Sequence, residues 1–407
     1  MPKYKYKYKA QLIATGEEIK GVALAASKFE LAKDMKVDGK LLLAATEVTG
    51  GRFNMDRINA YLSRITLREK ILFARNLGVM IHAGLSLSRA LQVFYKQTKN
   101  PKFRIVLQSI ADDINGGFSF SDALQKFADV FPSVFIFLVR AGEESGGLVE
   151  SLNVVGSQME KTYVLKKKVR GAMMYPAVIL FVMLVVGVLM MLYVVPGLAS
   201  TFKEMNVELP TLTKIVIAIS EFIQNELWTS LVLLFVFSGV ISWFARTAIG
   251  VRVLSFIALR IPVFGKLIRE FNSALVTRTL SSLISAGVDI VRAIEITEDV
   301  VENVFYKDTL EKAKVGVQKG DPLSRVFLEH PEIYPMMVGD MMEVGEETGR
   351  LSDMLLKIAT FYEEEVDQAT SDMSKLIEPL LMVTIGVFVG IFAMALISPM
   401  YSLMNSI

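Results

Sequence analysis

Three stretches of the chain carry no charged residue for longer than a soluble helix ordinarily allows: Gly171 to Phe202 (32 residues), Leu227 to Ala245 (19) and Pro379 to Ile407 (29). About 20 apolar residues in a helix cross a hydrocarbon core of ~30 Å, so each stretch is long enough to span a bilayer. Ala177 to Val195 offers no polar face, which argues against a buried helix of a soluble core. The pattern predicts transmembrane helices at 171–195, 227–245 and 376–400. Elsewhere the period is helical and amphipathic. Between Ile71 and Tyr95 apolar residues recur at three and four (Leu72, Leu77, Met80, Ile81, then Leu87, Leu91), interrupted by Ala83-Gly84-Leu85-Ser86, where glycine ends one helix and serine caps the next. Further breaks at Asn100-Pro101, Asn115-Gly116-Gly117, Phe131-Pro132 and Gly142 to Gly147 cut residues 52–170 into five or six short helices. The first fifty residues differ in kind. Alternating Tyr4, Tyr6 and Tyr8, a turn at Thr15-Gly16, Ile19 to Val22, a short helix over Ser27 to Met35 and a further strand at Leu41 to Ala44 predict a small α+β module over 1–51.

The chain is internally duplicated. A shift of 203 residues aligns Arg75 to Pro176 with Arg278 to Pro379 without a gap, and 20 of the 102 positions are identical. Unrelated sequences of average composition would match at roughly one position in fifteen. The matches fall at turn and core positions, among them Ala83-Gly84 with Ala286-Gly287, Pro132 with Pro335, and Gly142-Glu143-Glu144-Ser145-Gly146 with Gly345-Glu346-Glu347-Thr348-Gly349. Pro176 and Pro379 carry the register into the apolar segments, as do Pro196 and Pro399. The repeating unit is therefore a helical bundle followed by a span, and the fold class expected is mainly α.

Orientation follows from charge. Lys166, Lys167, Lys168 and Arg170 precede the first span and Arg246, Arg252 and Arg260 follow the second, whereas Pro196 to Glu226 has only Lys203 and Lys214. The positive-inside rule then places both bundles in the cytoplasm. The amino terminus, with nine lysines in forty residues and no apolar core of a signal peptide, is expected there too. The layout expected is a module at 1–51, a first bundle at 52–170, a span at 171–195, an extracytoplasmic loop at 196–226, a span at 227–245, a cytoplasmic region with the second bundle at 246–375, a span at 376–400 and an extracytoplasmic tail at 401–407. From Arg52 to Arg170 there are 18 basic and 10 acidic residues, a net +8. From Arg246 to Glu378 there are 15 and 22, a net −7. Opposite signs on homologous bundles suit docking of one on the other, or distinct partners.

Composition narrows the chemistry. With 44 Lys and Arg against 42 Asp and Glu, the chain lacks the clustered cationic excess of a nucleic-acid binder. With no cysteine there is no disulfide, thiolate nucleophile or thiolate metal site. The two histidines, His82 and His330, are far apart, and His82 is replaced by Ser285 in the second copy. A phosphate-binding loop is absent, since Gly39-Lys40 and Gly265-Lys266 are each followed by leucine. The pairs Glu143/Glu144 and Glu346/Glu347 have the chemistry of a divalent-cation or acid-base site. The structural reading, helix ends set by glycine with glutamates at a helix N-terminus or against a partner, is favoured. Glu378, beside Pro379 at the start of the third span, is either hydrated at headgroup level or a contact inside the membrane. Pro176 and Pro379 are expected to kink their helices.

Arg-x-Leu-x-x-x-Ile-x-Ala-Gly at Arg75 to Gly84 and Arg278 to Gly287, the turns Phe131-Pro132 and Tyr334-Pro335, the two Gly-Glu-Glu-[Ser/Thr]-Gly motifs, Tyr175-Pro176 and Glu378-Pro379 together resemble one family over nearly the whole chain. It is the inner-membrane platform family of type II secretion F proteins and their type IV pilus counterparts, GspF and PilC. The resemblance implies a multi-pass protein of the bacterial inner (cytoplasmic) membrane with no enzymatic activity and no cofactor. It implies coupling of a cytoplasmic hexameric secretion or assembly ATPase to extraction of pilin or pseudopilin, contact with other inner-membrane assembly proteins, and a homo-oligomer. Arg75, Gly84, Gly142, Glu143, Glu144, Gly146, Pro176, Arg278, Gly287, Gly345, Glu346, Glu347, Gly349, Glu378 and Pro379 are then structural or partner-contact positions. The alternative is a small-solute transporter built from repeated halves, which would need polar groups near the midplane of several spans.

Overall fold

The computed structural model describes residues 4–12, 18–25, 35, 40–47, 63–204, 210–262 and 264–404. The chain divides into two compact units, residues 1–65 with 97–107, and residues 66–96 with 108–407. In the first, β1 (Tyr4–Leu12), β2 (Glu18–Ala25) and β3 (Lys40–Glu47) form an antiparallel sheet in the order β2-β1-β3. Tyr6 of the central strand pairs with Ala23 on one side and Glu47 on the other, and the register slips between Lys9 and Ala10 along β3. The turn expected at Thr15-Gly16 lies outside the described residues, as does the helix expected over Ser27 to Met35 except for Met35. Also in this unit, the Asn100 side chain accepts from the Ser63 hydroxyl (3.2 Å) and from the backbone N–H of Lys102 (3.1 Å), so it caps the helix that begins at Pro101.

Beyond the sheet the chain is helical. The first copy of the repeat contributes α1 (Leu67–His82), α2 (Leu87–Gln97), α3 (Pro101–Asn115), α4 (Phe120–Gln125), α5 (Ser133–Ser145) and α6 (Leu148–Leu189). Among the described residues four α-helices follow: α7 (Val195–Glu204), α8 (Thr211–Asn225), α9 (Leu227–Phe244) and α10 (Ala248–Arg260). The second copy is α11 (Phe264–Ser285), α12 (Ile290–Val300), α13 (Val304–Gln318), α14 (Leu323–Leu328), α15 (Met336–Glu347) and α16 (Leu351–Met404). From α2 and α12 onward every helix start is displaced by 203 residues, the same shift that aligns the sequences. Left-handed glycines obey it too: Gly84 and Gly287, Gly117 and Gly320, Gly146 and Gly349 all have positive φ. At Gly84 (φ +90°) this conformation ends α1 and lets α2 turn back, which an L side chain would resist.

Local signals explain the boundaries. Thr66 and Glu69 cap α1 reciprocally, the Thr66 hydroxyl accepting from Glu69 N–H (3.3 Å) and Glu69 Oε2 accepting from Thr66 N–H (2.7 Å). Ser86, the expected cap of α2, accepts from Arg89 N–H (3.4 Å), and its counterpart Asp289 accepts from Val291 N–H (2.9 Å). Phe73 lies at the centre of the first bundle, with the rings of Phe94, Phe131 and Phe135 at 5.3, 5.6 and 6.1 Å. In the second, Tyr334 packs edge-on against Tyr306 (4.9 Å) and Phe327 (4.6 Å), and the Tyr306 hydroxyl donates to Ile333 O.

The last helix of each copy continues into the apolar segment. α6 has 42 residues and runs through Pro176 as one helix; α16 has 54. At 1.5 Å per residue these are rods of ~63 and ~81 Å, about two and nearly three times the ~30 Å bilayer core. Among the described residues two helices are long and apolar enough to cross a membrane, and three if Phe235–Phe244 and Ala248–Arg260, bent by 88° to one another, are counted as one span. The segment 196–226, read from sequence as a loop, is largely helical. Its α8 buries Thr213, Val216, Ile217 and Ser220, which recur at three and four, and Val216 and Ile217 form a cluster with Val195, Ala199, Phe392 and Ala395. Between α6 and α7 lies one π-helical turn, Met190–Val194. Such a turn frees backbone carbonyls, and α8 supplies donors: Ser220 Oγ to Met191 O (2.5 Å) and Gln224 Nε2 to Leu192 O (2.6 Å).

Candidate functional site: the Gly-Glu-Glu turns and the seam between repeats

The two Gly-Glu-Glu motifs do the same structural work in both copies. Glu143, at the end of α5, reaches back to the start of α4, where Oε1 accepts from Phe120 N–H (2.6 Å) and Oε2 from Ser121 N–H (2.7 Å). Glu346 holds α14 likewise, accepting from Leu323 N–H (2.6 Å), Ser324 N–H (3.1 Å) and the Ser324 hydroxyl (2.5 Å). A carboxylate against the free N–H groups of a helix start is favourable in charge as well as geometry. The preceding glycine is a packing requirement: a Cβ on Gly142 would lie 2.3 Å from Ser151 Oγ, and one on Gly345 3.0 Å from Leu351 Cα. The closing glycines, Gly146 and Gly349, are left-handed. Each motif thus fixes α5 on α6, or α15 on α16, and clasps the short helix before it. The second glutamates, Glu144 and Glu347, are exposed, and among the described residues neither has an ion-pair partner. Among those residues, too, no three His, Asp or Glu side chains are grouped to hold a metal ion.

The arginines that open the other shared motif also have matching partners. Arg75 pairs with Glu160, and Arg278 pairs with Glu363, its Nε 2.7 Å from Oε1. Glu160 and Glu363 are identical under the 203-residue shift, so the alignment contained this pairing although spacing within one copy did not suggest it. The environments differ. The Arg278 and Glu363 side chains are 15% and 10% exposed, those of Arg75 and Glu160 51% and 41%.

The copies meet along α6, α11 and α16, and here the opposite net charges are expressed as contacts. Lys161 approaches Glu363 (3.7 Å), Lys168 approaches Asp367 (2.6 Å) and Lys166 approaches Glu302 (2.6 Å). Deeper in the seam, Gln158 Nε2 donates to Thr279 Oγ1 (3.0 Å) and Gln158 Oε1 accepts from the Ser282 hydroxyl (3.2 Å), so the amide is satisfied on both sides. Further out, the Ser133 hydroxyl donates to Asp299 (2.8 Å) and the Arg292 guanidinium lies over the Phe137 ring at 4.3 Å.

Remaining sequence candidates stand apart from the seam. His82 is exposed in the last turn of α1; His330 Nδ1 is 3.0 Å from Val326 O and its Nε2 2.9 Å from Lys312 Nζ. Glu378 is exposed on α16 beside Pro379. Sequence reasoning missed Glu270 of α11, which is 4% exposed, has one carboxylate oxygen with no hydrogen-bond partner, and has its acidity weakened by burial, with Lys266 at 3.4 Å opposing the shift. Between the apolar parts of α6 and α16 lies an open groove of about 510 Å³, lined only by apolar side chains such as Val178, Val182, Val186, Phe388 and Phe392.

Comparison with known proteins gives the family. The sequence model of type II secretion system protein F matches twice, at residues 73–196 and 276–399, again 203 residues apart. The type IV pilus assembly protein PilC of Thermus thermophilus is 35% identical over 408 aligned residues, covering 100% of this chain and 99% of that protein. Its counterpart from Pseudomonas aeruginosa is 33% identical over 82% of this chain and 89% of its own length. The type II secretion system protein F of Xanthomonas campestris pv. campestris is 32% identical over the full length of both. With two apolar helices long enough to cross a bilayer, this is a membrane protein, and the duplicated match over most of its length places the chain in the type II secretion system protein F family.

Proposed function

We propose that the chain is a non-catalytic platform of the bacterial inner membrane, crossing it three times with both bundles in the cytoplasm. It couples a hexameric assembly ATPase to extraction of pilin or pseudopilin, in type IV pilus biogenesis or type II secretion. The observation that carries this reading is the pair of unbroken helices, α6 and α16, each beginning inside a bundle and ending in the apolar segment. Torque or displacement applied to a bundle reaches the membrane along a continuous rod, with no loop to dissipate it. Placement of the bundles rests on Lys166, Lys167, Lys168 and Arg170 at the level where α6 leaves the first bundle, with Arg246 after α9. Glu144 and Glu347, exposed on equivalent turns, are free to meet a partner, whereas Glu143 and Glu346 are committed to their clasps.

The names of the relatives, assembly and secretion proteins, supply the setting. A polar-solute pathway is disfavoured, because among the described residues no polar side chain lines the groove between α6 and α16. The test is enzymatic. In nanodiscs the purified chain should hydrolyse no ATP alone and should raise the turnover of the assembly ATPase from the same organism. Hydrolysis by the chain itself, or an ATPase rate unchanged at saturating platform, would reject the proposal.

A further inference from the structure

From Leu227 to Arg269 the chain has no aspartate or glutamate but five basic residues: Arg246, Arg252, Arg260, Lys266 and Arg269. α10 lies within this stretch and leaves α9 at 88°. The corner is built, since a Cβ on Gly250 would fall 1.8 Å from Phe244 O, and the Thr247 hydroxyl caps α10 by accepting from Gly250 N–H (3.1 Å). A second tight corner closes the far end, where a Cβ on Gly265 would meet Leu259 O at 2.1 Å. One side of α10 is held by the second bundle through Arg252 and Asp308 (2.5 Å) and through the Phe256 and Phe305 rings (6.5 Å). Another side is bare. Ile249, Val253 and Ile257, spaced by four and hence on one stripe of α10, are 72%, 41% and 49% exposed, and Ile261, the residue that follows the helix, is 43% exposed. Arg260 flanks the stripe, stacked over Phe256 at 4.7 Å.

Trp243 and Arg246, both exposed, stand at the corner itself. Tryptophan and arginine at the end of an apolar helix mark the headgroup level of a membrane. A helix leaving a spanning helix at a right angle at that level runs in the membrane plane. We infer that α10 is an interfacial helix. Its isoleucine-valine stripe enters the acyl boundary of the cytoplasmic leaflet, and Arg246 and Arg260 bind anionic phospholipid headgroups. The inference rests on α9 being a span with its carboxyl end at the cytoplasm. It gives the second bundle a membrane-surface anchor, Arg252 and Phe256, separate from the rod α16.

The chain has no cysteine, so single sites can be labelled in the full-length protein. Val253→Cys, Ile257→Cys and Phe237→Cys, each carrying an environment-sensitive fluorophore, are reconstituted in nanodiscs of phosphatidylglycerol with phosphatidylethanolamine, with Ser145→Cys as the aqueous reference. Shallow doxyl-labelled lipid should quench positions 253 and 257 at least twofold more than it quenches 145, with iodide showing the reverse order. Deep doxyl lipid should quench 237. Exchanging phosphatidylglycerol for phosphatidylcholine, or combining Arg246→Gln with Arg260→Gln, should reduce the shallow quenching at 257. Free access of iodide to 253 and 257 overturns the inference. So does shielding from both iodide and doxyl lipid, which would mean that protein covers the stripe. Unchanged quenching in phosphatidylcholine overturns the anionic-headgroup part. Loss of deep quenching at 237 refutes the span beneath it, whereas quenching at 237 without quenching at 257 refutes only the interfacial helix.

Discussion

Replacing Glu363 with glutamine removes a charge from an ion pair that the chain contains twice, in two environments, so the equivalent pair in the first copy is an internal control. Arg278 and Glu363 are 15% and 10% exposed, and after the change Arg278 faces a neutral amide oxygen in place of the carboxylate, beside the Thr360 hydroxyl at 3.4 Å. Stranding one member of a buried pair costs ~3–5 kcal/mol, and the residual exposure argues for the lower end, about 3. At the equivalent pair, Arg75 and Glu160 are 51% and 41% exposed, and Glu160→Gln should cost no more than ~1 kcal/mol. At about 1.4 kcal/mol per factor of ten, the slowest-exchanging amides of α11, the helix that carries Arg278, should exchange roughly 100-fold faster in the Glu363 variant. Those of α1, which carries Arg75, should speed up less than about sixfold in the Glu160 variant. Hydrogen-deuterium exchange on full-length protein in nanodiscs measures both. Equal losses, or a larger loss at Glu160, would refute the argument that burial and not sequence motif sets the strength of this pair.

The Gly-Glu-Glu turns separate stability from partner contact. Glu143→Ala and Glu346→Ala should each cost about 2 kcal/mol of bundle stability through the lost clasp. Glu144→Lys and Glu347→Lys together should leave exchange protection unchanged while reducing filament assembly or secretion in complemented cells; full output from that double variant would remove these residues from the partner surface. Gly142→Ala drives a methyl group into Ser151 and should cost ~1–3 kcal/mol, with Ser151→Gly restoring the thermal midpoint. Glu270 gives a pH signature. Its folded-state acidity is weakened by burial, so the folded chain holds the proton more tightly than the unfolded chain does. Stability from this group is therefore present at low pH and declines as pH rises from the ordinary carboxylate value through the raised one. Glu270→Gln should flatten that decline and raise the midpoint at neutral pH, and an unchanged pH profile would contradict the assignment.

Much of the architecture was legible because it was written twice. The shift that aligns Gly142-Glu143-Glu144 with Gly345-Glu346-Glu347 also aligns helix starts and left-handed glycines, and the breaks at Gly84, Gly117 and Pro132 separate the observed helices. Contacts distant in sequence were not legible. Glu143 sits at the end of its own helix, and that it clasps the start of another, more than twenty residues earlier, depends on how α4 and α5 fold back. The opposite charges of the two copies anticipated docking, but only geometry selects Lys161, Lys166 and Lys168 against Glu363, Glu302 and Asp367. Within 196–226, the position between two expected spans and the low charge suggested an extracytoplasmic loop, and the helical recurrence of Thr213, Val216, Ile217 and Ser220 went unread. The π-helical turn at Met190–Val194 has no sequence signature, because its freed carbonyls are satisfied by residues from a separate helix.

The central claim is that both bundles face the compartment that holds ATP and pass force outward along α6 and α16. Ser145 and Thr348 are exposed on equivalent turns of the two bundles. Each, changed to cysteine in this cysteine-free chain, can be challenged with a membrane-impermeant maleimide in spheroplasts and in inverted inner-membrane vesicles. The account predicts labelling of both sites in inverted vesicles and of neither in intact spheroplasts; labelling of either site from outside would contradict it.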